Sequence, residues 1–117
     1  MQIQVNTDNH ITGTADLTRQ VNGVVEGTLG RFSDRITRVE VHLTDENGSQ
    51  KTGESDKRCV MEARLAGLQP ITVSAEGSSL EQALNGAADK LERTLKRTLG
   101  RLDDPKGRTS YAGNETT

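Results

Sequence analysis

Residues 71–84 read Ile71-Thr72-Val73-Ser74-Ala75-Glu76-Gly77-Ser78-Ser79-Leu80-Glu81-Gln82-Ala83-Leu84. Ile71, Val73 and Ala75 alternate with Thr72, Ser74 and Glu76, the two-residue period of a strand with one buried face. After Gly77 the period changes. Leu80, Leu84, Ala87 or Ala88, Leu91, Leu95, Leu99 and Leu102 recur every three to four residues, the apolar stripe of one long helix. Ser78 or Ser79 is placed to cap it, with Glu81 or Gln82 three residues on, as in a capping box. The helix is expected over about residues 79–101, and Pro105 stops any continuation.

Working back from Ile71, Gly67 to Pro70 turn the chain. Cys59, Met61, Ala63 and Leu65 alternate with Arg58, Val60, Glu62 and Arg64, a strand over about 57–66. Asp45 to Asp56 has no apolar residue and contains Asn47-Gly48 and Gly53, so a long, mobile hairpin loop is expected there. Val39, Val41 and Leu43 alternate with Arg38, Glu40 and His42, a strand over about 35–45. Short returns join these three strands, which predicts an antiparallel meander.

Further back, Leu17, Val21, Val24 or Val25, and Leu29 mark an amphipathic helix over about 15–30, capped by Thr14 or Thr12. Gly23, Gly27 and Gly30 weaken it, each costing about 0.5–1 kcal/mol against Ala in a helix interior. The expectation is that Gly23 and Gly27 let the helix lie close on a sheet and that Gly30 ends it. Ile3 and Val5 within Gln2 to Asn6 give a first short strand.

The order is β-α-β-β-β-α, an α+β fold with both helices packed on one face of a four-stranded sheet. The open face would carry Gln2, Gln4, Arg38, Glu40, His42, Glu62, Arg64, Thr72 and Ser74. Residues 1–102 form one domain. Residues 103–117 hold little that is apolar beyond Tyr111 and Ala112, and a disordered tail is expected.

Composition narrows the chemistry. With 117 residues the chain makes one domain, and with only Phe32 and Tyr111 aromatic its core is aliphatic. No apolar run approaches the roughly 18–20 residues of a membrane span. Met1 to His10 lacks the basic start and apolar stretch of a signal peptide, so a cytoplasmic location is expected. The single cysteine, Cys59, excludes an internal disulfide. His10 and His42 have no Cys or carboxylate at ligand spacing, so no metal or other cofactor is expected. There is no nucleophile elbow and no phosphate-cradling glycine loop. The reading is a non-enzyme without a small-molecule substrate.

Charge is more informative. Fifteen bases against seventeen acids leave −2, yet residues 86–102 hold five bases against two acids. Lys90, Arg93 and Arg97 are spaced by three and four, so they share one helix face, and Arg101 extends the row. Such a row fits successive RNA phosphates, or it is a solvated face whose cations suit the helix C-terminus. The strands carry no aromatics for base stacking, so RNA would be read by backbone and shape.

Three stretches together resemble the ribosome hibernation-promoting factors, also called ribosome-associated inhibitors or ribosomal-subunit interface proteins. They are Met1-Gln2-Ile3-Gln4-Val5 with Thr14-Ala15-Asp16-Leu17; Gly30-Arg31-Phe32-Ser33-Asp34-Arg35-Ile36; and Ser74-Ala75-Glu76-Gly77 through Leu80, Ala83-Leu84, Asp89-Lys90-Leu91-Glu92-Arg93 and Leu95. The resemblance implies a β-α-β-β-β-α protein that binds the small ribosomal subunit and its rRNA near the decoding region. Such proteins inhibit translation under stress. Carried over by position, it implies RNA contacts at Lys90, Arg93 and Arg97, with Lys96 and Arg101. On the first helix it leaves Arg19 and Arg31, and on the sheet Arg38. The departures are a first helix with glycines in place of bases, Glu81 where an aromatic is usual, and Asn85 at an acidic position. The resemblance is to the short form of the family, so no second domain for pairing ribosomes is expected after residue 102. Two rival readings are a protein-interaction module of this fold that has lost the ribosome, and a general binder of structured RNA.

Overall fold

The computed structural model describes residues 1–8, 11, 13–46 and 56–103. Its elements are β1 (Gln2–Thr7), α1 (Ala15–Leu29), a 3₁₀ turn (Gly30–Phe32), β2 (Ile36–Asp45), β3 (Lys57–Leu65), β4 (Ile71–Gly77) and α2 (Leu80–Asp103). They form one sheet in the order β1-β2-β3-β4. β2, β3 and β4 are the expected antiparallel meander, and β1 lies parallel to β2 with Gln2 opposite Arg38.

Alternation does what the pattern predicts. Val39, Val41, Leu43, Cys59, Met61, Ala63, Leu65 and Ala75 point to one face and are buried. Val21, Val25 and Leu29 of α1 and Leu84, Leu91, Leu95 and Leu99 of α2 cover them. α2 lies over β3 and β4 with α1 beside it.

The helix starts follow from capping. Thr14 Oγ1 accepts from the Leu17 amide at 3.1 Å. At α2 the Ser79 Oγ accepts from the Gln82 amide at 3.1 Å. The Gln82 Oε1 accepts in return from the Ser78 amide at 2.9 Å and from the Ser78 hydroxyl at 2.8 Å. The box closes on the residue before the cap, and two otherwise orphaned amides gain partners.

The close-packing expectation for Gly23 and Gly27 fails. A Cβ built at Gly23 or Gly27 meets nothing within 4 Å, because both lie on the outer side of α1 and not against the sheet. Gly30 is the C-cap of α1, as expected, although not as a left-handed residue: its φ of −57° is helical and the chain tightens into the 3₁₀ turn. Close approach is made by α2 instead. A Cβ at Gly86 would stand 3.1 Å from the Ala75 Cβ, and one at Gly77 would stand 2.7 Å from the Gln82 Cβ.

The polar loop is anchored at its two ends. Asp45 and Asp56 are 8% and 4% exposed. Lys57 Nζ lies 3.0 Å from Asp56 Oδ2 and 3.6 Å from Asp45 Oδ1. The hydrogen bond to Asp56 raises the Lys57 ammonium above its ordinary 10.5, against the opposing cost of desolvation, with Asp45 adding to the rise. Residues 47–55, residues 104–117 of the expected tail, and His10 lie outside the described residues.

Candidate nucleic-acid interface

The eight candidate bases fall on three surfaces. Arg38 stands on the open face of the sheet, turned away from the helices. There Arg38 lies opposite Arg64, and Glu40 opposite Glu62. Like charges facing each other across strands are resolved along and diagonal to them. Arg38 reaches Glu40 at 2.6 Å, and Arg64 reaches Glu62 at 3.4 Å and Glu40 at 3.9 Å. His42 is 3.5 Å from the same Glu40. Arg58, on β3, lies 3.7 Å from Glu46 and 3.9 Å from Glu76. This face neutralises itself and offers little to an anion.

Arg19 and Arg31 belong to the α1 side. Arg19 pairs with Asp16 one turn before it on the helix surface. Arg31 lies 3.5 Å from Glu92 of α2 and packs its guanidinium 4.9 Å from the centre of the Phe32 ring. Both are exposed, so these pairs are each worth about 0–1 kcal/mol.

The remaining five candidates are on α2. Lys90 and Glu92 are two residues apart, which puts them about 200° apart around a helix of 3.6 residues per turn. Glu92 meets Arg31 on the α1 side, and Lys90 Nζ donates to the Ser74 carbonyl of β4 at 2.8 Å on the other. Arg97 and Arg101 follow Lys90 along that flank, and Arg93 lies nearer the outer crest. All three are exposed, as is Lys96 toward the opposite side of the crest. Among the described residues none of these four has an ion-pair partner. At its far end Arg101 borders an apolar groove of about 390 Å³ lined by Leu65, Leu68, Pro70, Ile71 and Leu102. The structure therefore gathers Lys90, Arg93, Arg97 and Arg101 into one row, and separates Arg19, Arg31 and Arg38 from it.

Residues 3–103 match the profile of the family described as Sigma 54 modulation protein / S30EA ribosomal protein. The chain belongs to this family. Two solved structures show the same fold. The N-terminal domain of Thermus thermophilus Protein Y superposes with a TM-score of 0.67 at 22% identity, covering 84% of this chain and 99% of that one. A ribosomal subunit interface protein from Coxiella burnetii superposes with a TM-score of 0.65 at 18% identity, covering 86% and 99%. A sequence search of curated proteins finds no match.

Two features of this family member escape sequence reasoning. Glu92 and Ser74 draw Arg31 and Lys90 inward, and neither pairing is local enough to be read from spacing. Cys59, expected as a small core residue, is fully buried, and burial pushes its thiol up to about 12. Among the described residues no group of three His, Cys, Asp or Glu side chains could hold a metal ion, and no helix is long and apolar enough to cross a membrane.

Proposed function

We propose that this protein is a non-enzymatic, ribosome-associated factor of the hibernation type. It binds the small subunit near the decoding region through rRNA phosphates and restrains translation. The family match and the two structural relatives, one of them described as a ribosomal subunit interface protein, support the ribosome as partner. The observation that carries the phosphate contacts is the set Arg93, Arg97 and Arg101, with Lys96. These are exposed cations on one helix that no carboxylate of the described protein satisfies. Arg93 to Arg101 span about 12 Å at 1.5 Å per residue, enough for consecutive phosphates. Each contact releases counterions and makes binding salt-dependent. Arg19, Arg31 and Arg38 contribute only after leaving Asp16, Glu92 and Glu40. Residues 1–102 are the binding unit in this reading.

A protein-interaction module that has lost the ribosome is favoured by one observation, the bare outer side of α1 with Gly23 and Gly27. Co-sedimentation with isolated small subunits over a salt series separates the two. The wild type is expected to pellet with subunits at low salt and to be released as salt rises. The Arg93→Ala, Arg97→Ala, Arg101→Ala variant is expected to stay in the supernatant. Failure of the wild type to pellet even at low salt would leave the interaction-module reading. Equal affinity for an arbitrary RNA duplex would leave the general RNA binder.

A further inference from the structure

We propose that Lys90, although it stands in the basic row, is a positioning residue and not a phosphate contact. Its ammonium clips α2 to the edge strand β4, and anion contacts begin one turn later at Arg93. The inference rests on the phosphate reading above and divides the labour within it.

Two observations meet at the same point of the fold. Lys90 Nζ donates to the Ser74 carbonyl at 2.8 Å. Gly86, four residues earlier on the same side of α2, brings the helix so near the neighbouring Ala75 that a Cβ there would stand 3.1 Å from the alanine methyl. Missing side chain and reaching side chain act together: one admits the helix to the strand and the other ties it there. Among the described residues β4 ends the sheet, so its outer side has no strand to pair with. A lysine reaching over such an edge satisfies a main-chain acceptor and blunts the edge against another strand. Fixing α2 at Ser74–Ala75 also fixes the rotation of the helix about its axis. That rotation sets where Arg93, Arg97 and Arg101 point. Among the described residues those arginines carry no such internal bond, so their side chains are free to reach outward while the Lys90 ammonium is held at the strand.

The test compares Lys90→Met with Arg97→Met, each removing one charge and keeping an unbranched stem. Binding to isolated small subunits is measured over a potassium chloride series. Loss of one phosphate contact shrinks the slope of log K against log salt by about 0.7–0.9. Arg97→Met is expected to show that shrinkage. Lys90→Met is expected to keep the wild-type slope and to lose affinity by the same factor at every salt. A slope reduced in Lys90→Met as much as in Arg97→Met overturns the proposal. The clip is tested without the ribosome by side-chain ammonium NMR of the free protein. The Lys90 Nζ hydrogens should exchange with water more slowly than those of Lys96, and equal exchange overturns the clip. If the wild type shows no salt-dependent binding, the phosphate reading falls, and the exchange measurement still decides the clip separately.

Discussion

Cys59 shows how far a single residue can be read. Its place in the alternation Cys59, Met61, Ala63, Leu65 put it on the core side, and it is fully buried in β3. Burial alone holds the thiol protonated up to about 12, against an ordinary value of 9.0. In the unfolded chain it ionises near the ordinary value, so the unfolded state holds fewer protons than the folded one above that pH. Stability from this group is therefore complete below pH 9.0 and falls as pH rises toward about 12. At pH 8 the folded protein is expected to leave a thiol reagent such as dithionitrobenzoate unreacted, and to label at full rate only in denaturant. Rapid labelling of the native protein would contradict the burial. Gly77 and Gly86 lie at the other limit of legibility. Their sequence neighbours do not announce that Gln82 and Ala75 stand a methyl's width away.

At the scale of elements, the strands and α2 were legible because their apolar periods are uninterrupted and their caps are local. α1 was legible in extent but not in the meaning of its glycines. A glycine pair at helical spacing reads equally as close packing or as an empty outer surface, and only the sheet's position decides between them. Here the outer surface wins. Gly23→Ala and Gly27→Ala place a methyl in open space. Each is expected to stabilise the protein by about 0.5–1 kcal/mol through helix propensity. Gly77→Ala drives a methyl to 2.7 Å from the Gln82 Cβ and 3.0 Å from the Ala83 amide nitrogen. It is expected to destabilise by about 1–3 kcal/mol, as overpacking does. Urea denaturation of the three variants checks both signs in one series. The buried pair Asp45 and Asp56 was missed for a related reason. A run without apolar residues reads as solvated, and the lysine that makes their burial tolerable is visible only once β2 and β3 are paired.

Over the whole molecule, a net charge of −2 conceals a positive flank on α2 and a self-neutralised sheet face. The basic row was legible from spacing, because three- and four-residue intervals are a local property. What sequence could not show is which cations are already engaged, since Arg31 meets Glu92 and Lys90 meets Ser74 only after the chain has folded back on itself. Removing the Glu92 charge should enlarge the usable cationic surface. Glu92→Gln frees Arg31, and small-subunit affinity is expected to rise with the salt slope steepening by up to about 0.7–0.9. An unchanged slope in the sedimentation series would show that Arg31 lies outside the contact area. The parallel strand at the far side of the sheet carries a consequence of a different kind. β2, β3 and β4 each pair with the strand that follows or precedes them, whereas β1 reaches β2 only across α1. Long-range closure is entered after local contacts have formed. β1 is thus expected to dock only once α1 has crossed over and β2, the strand it pairs with, has formed.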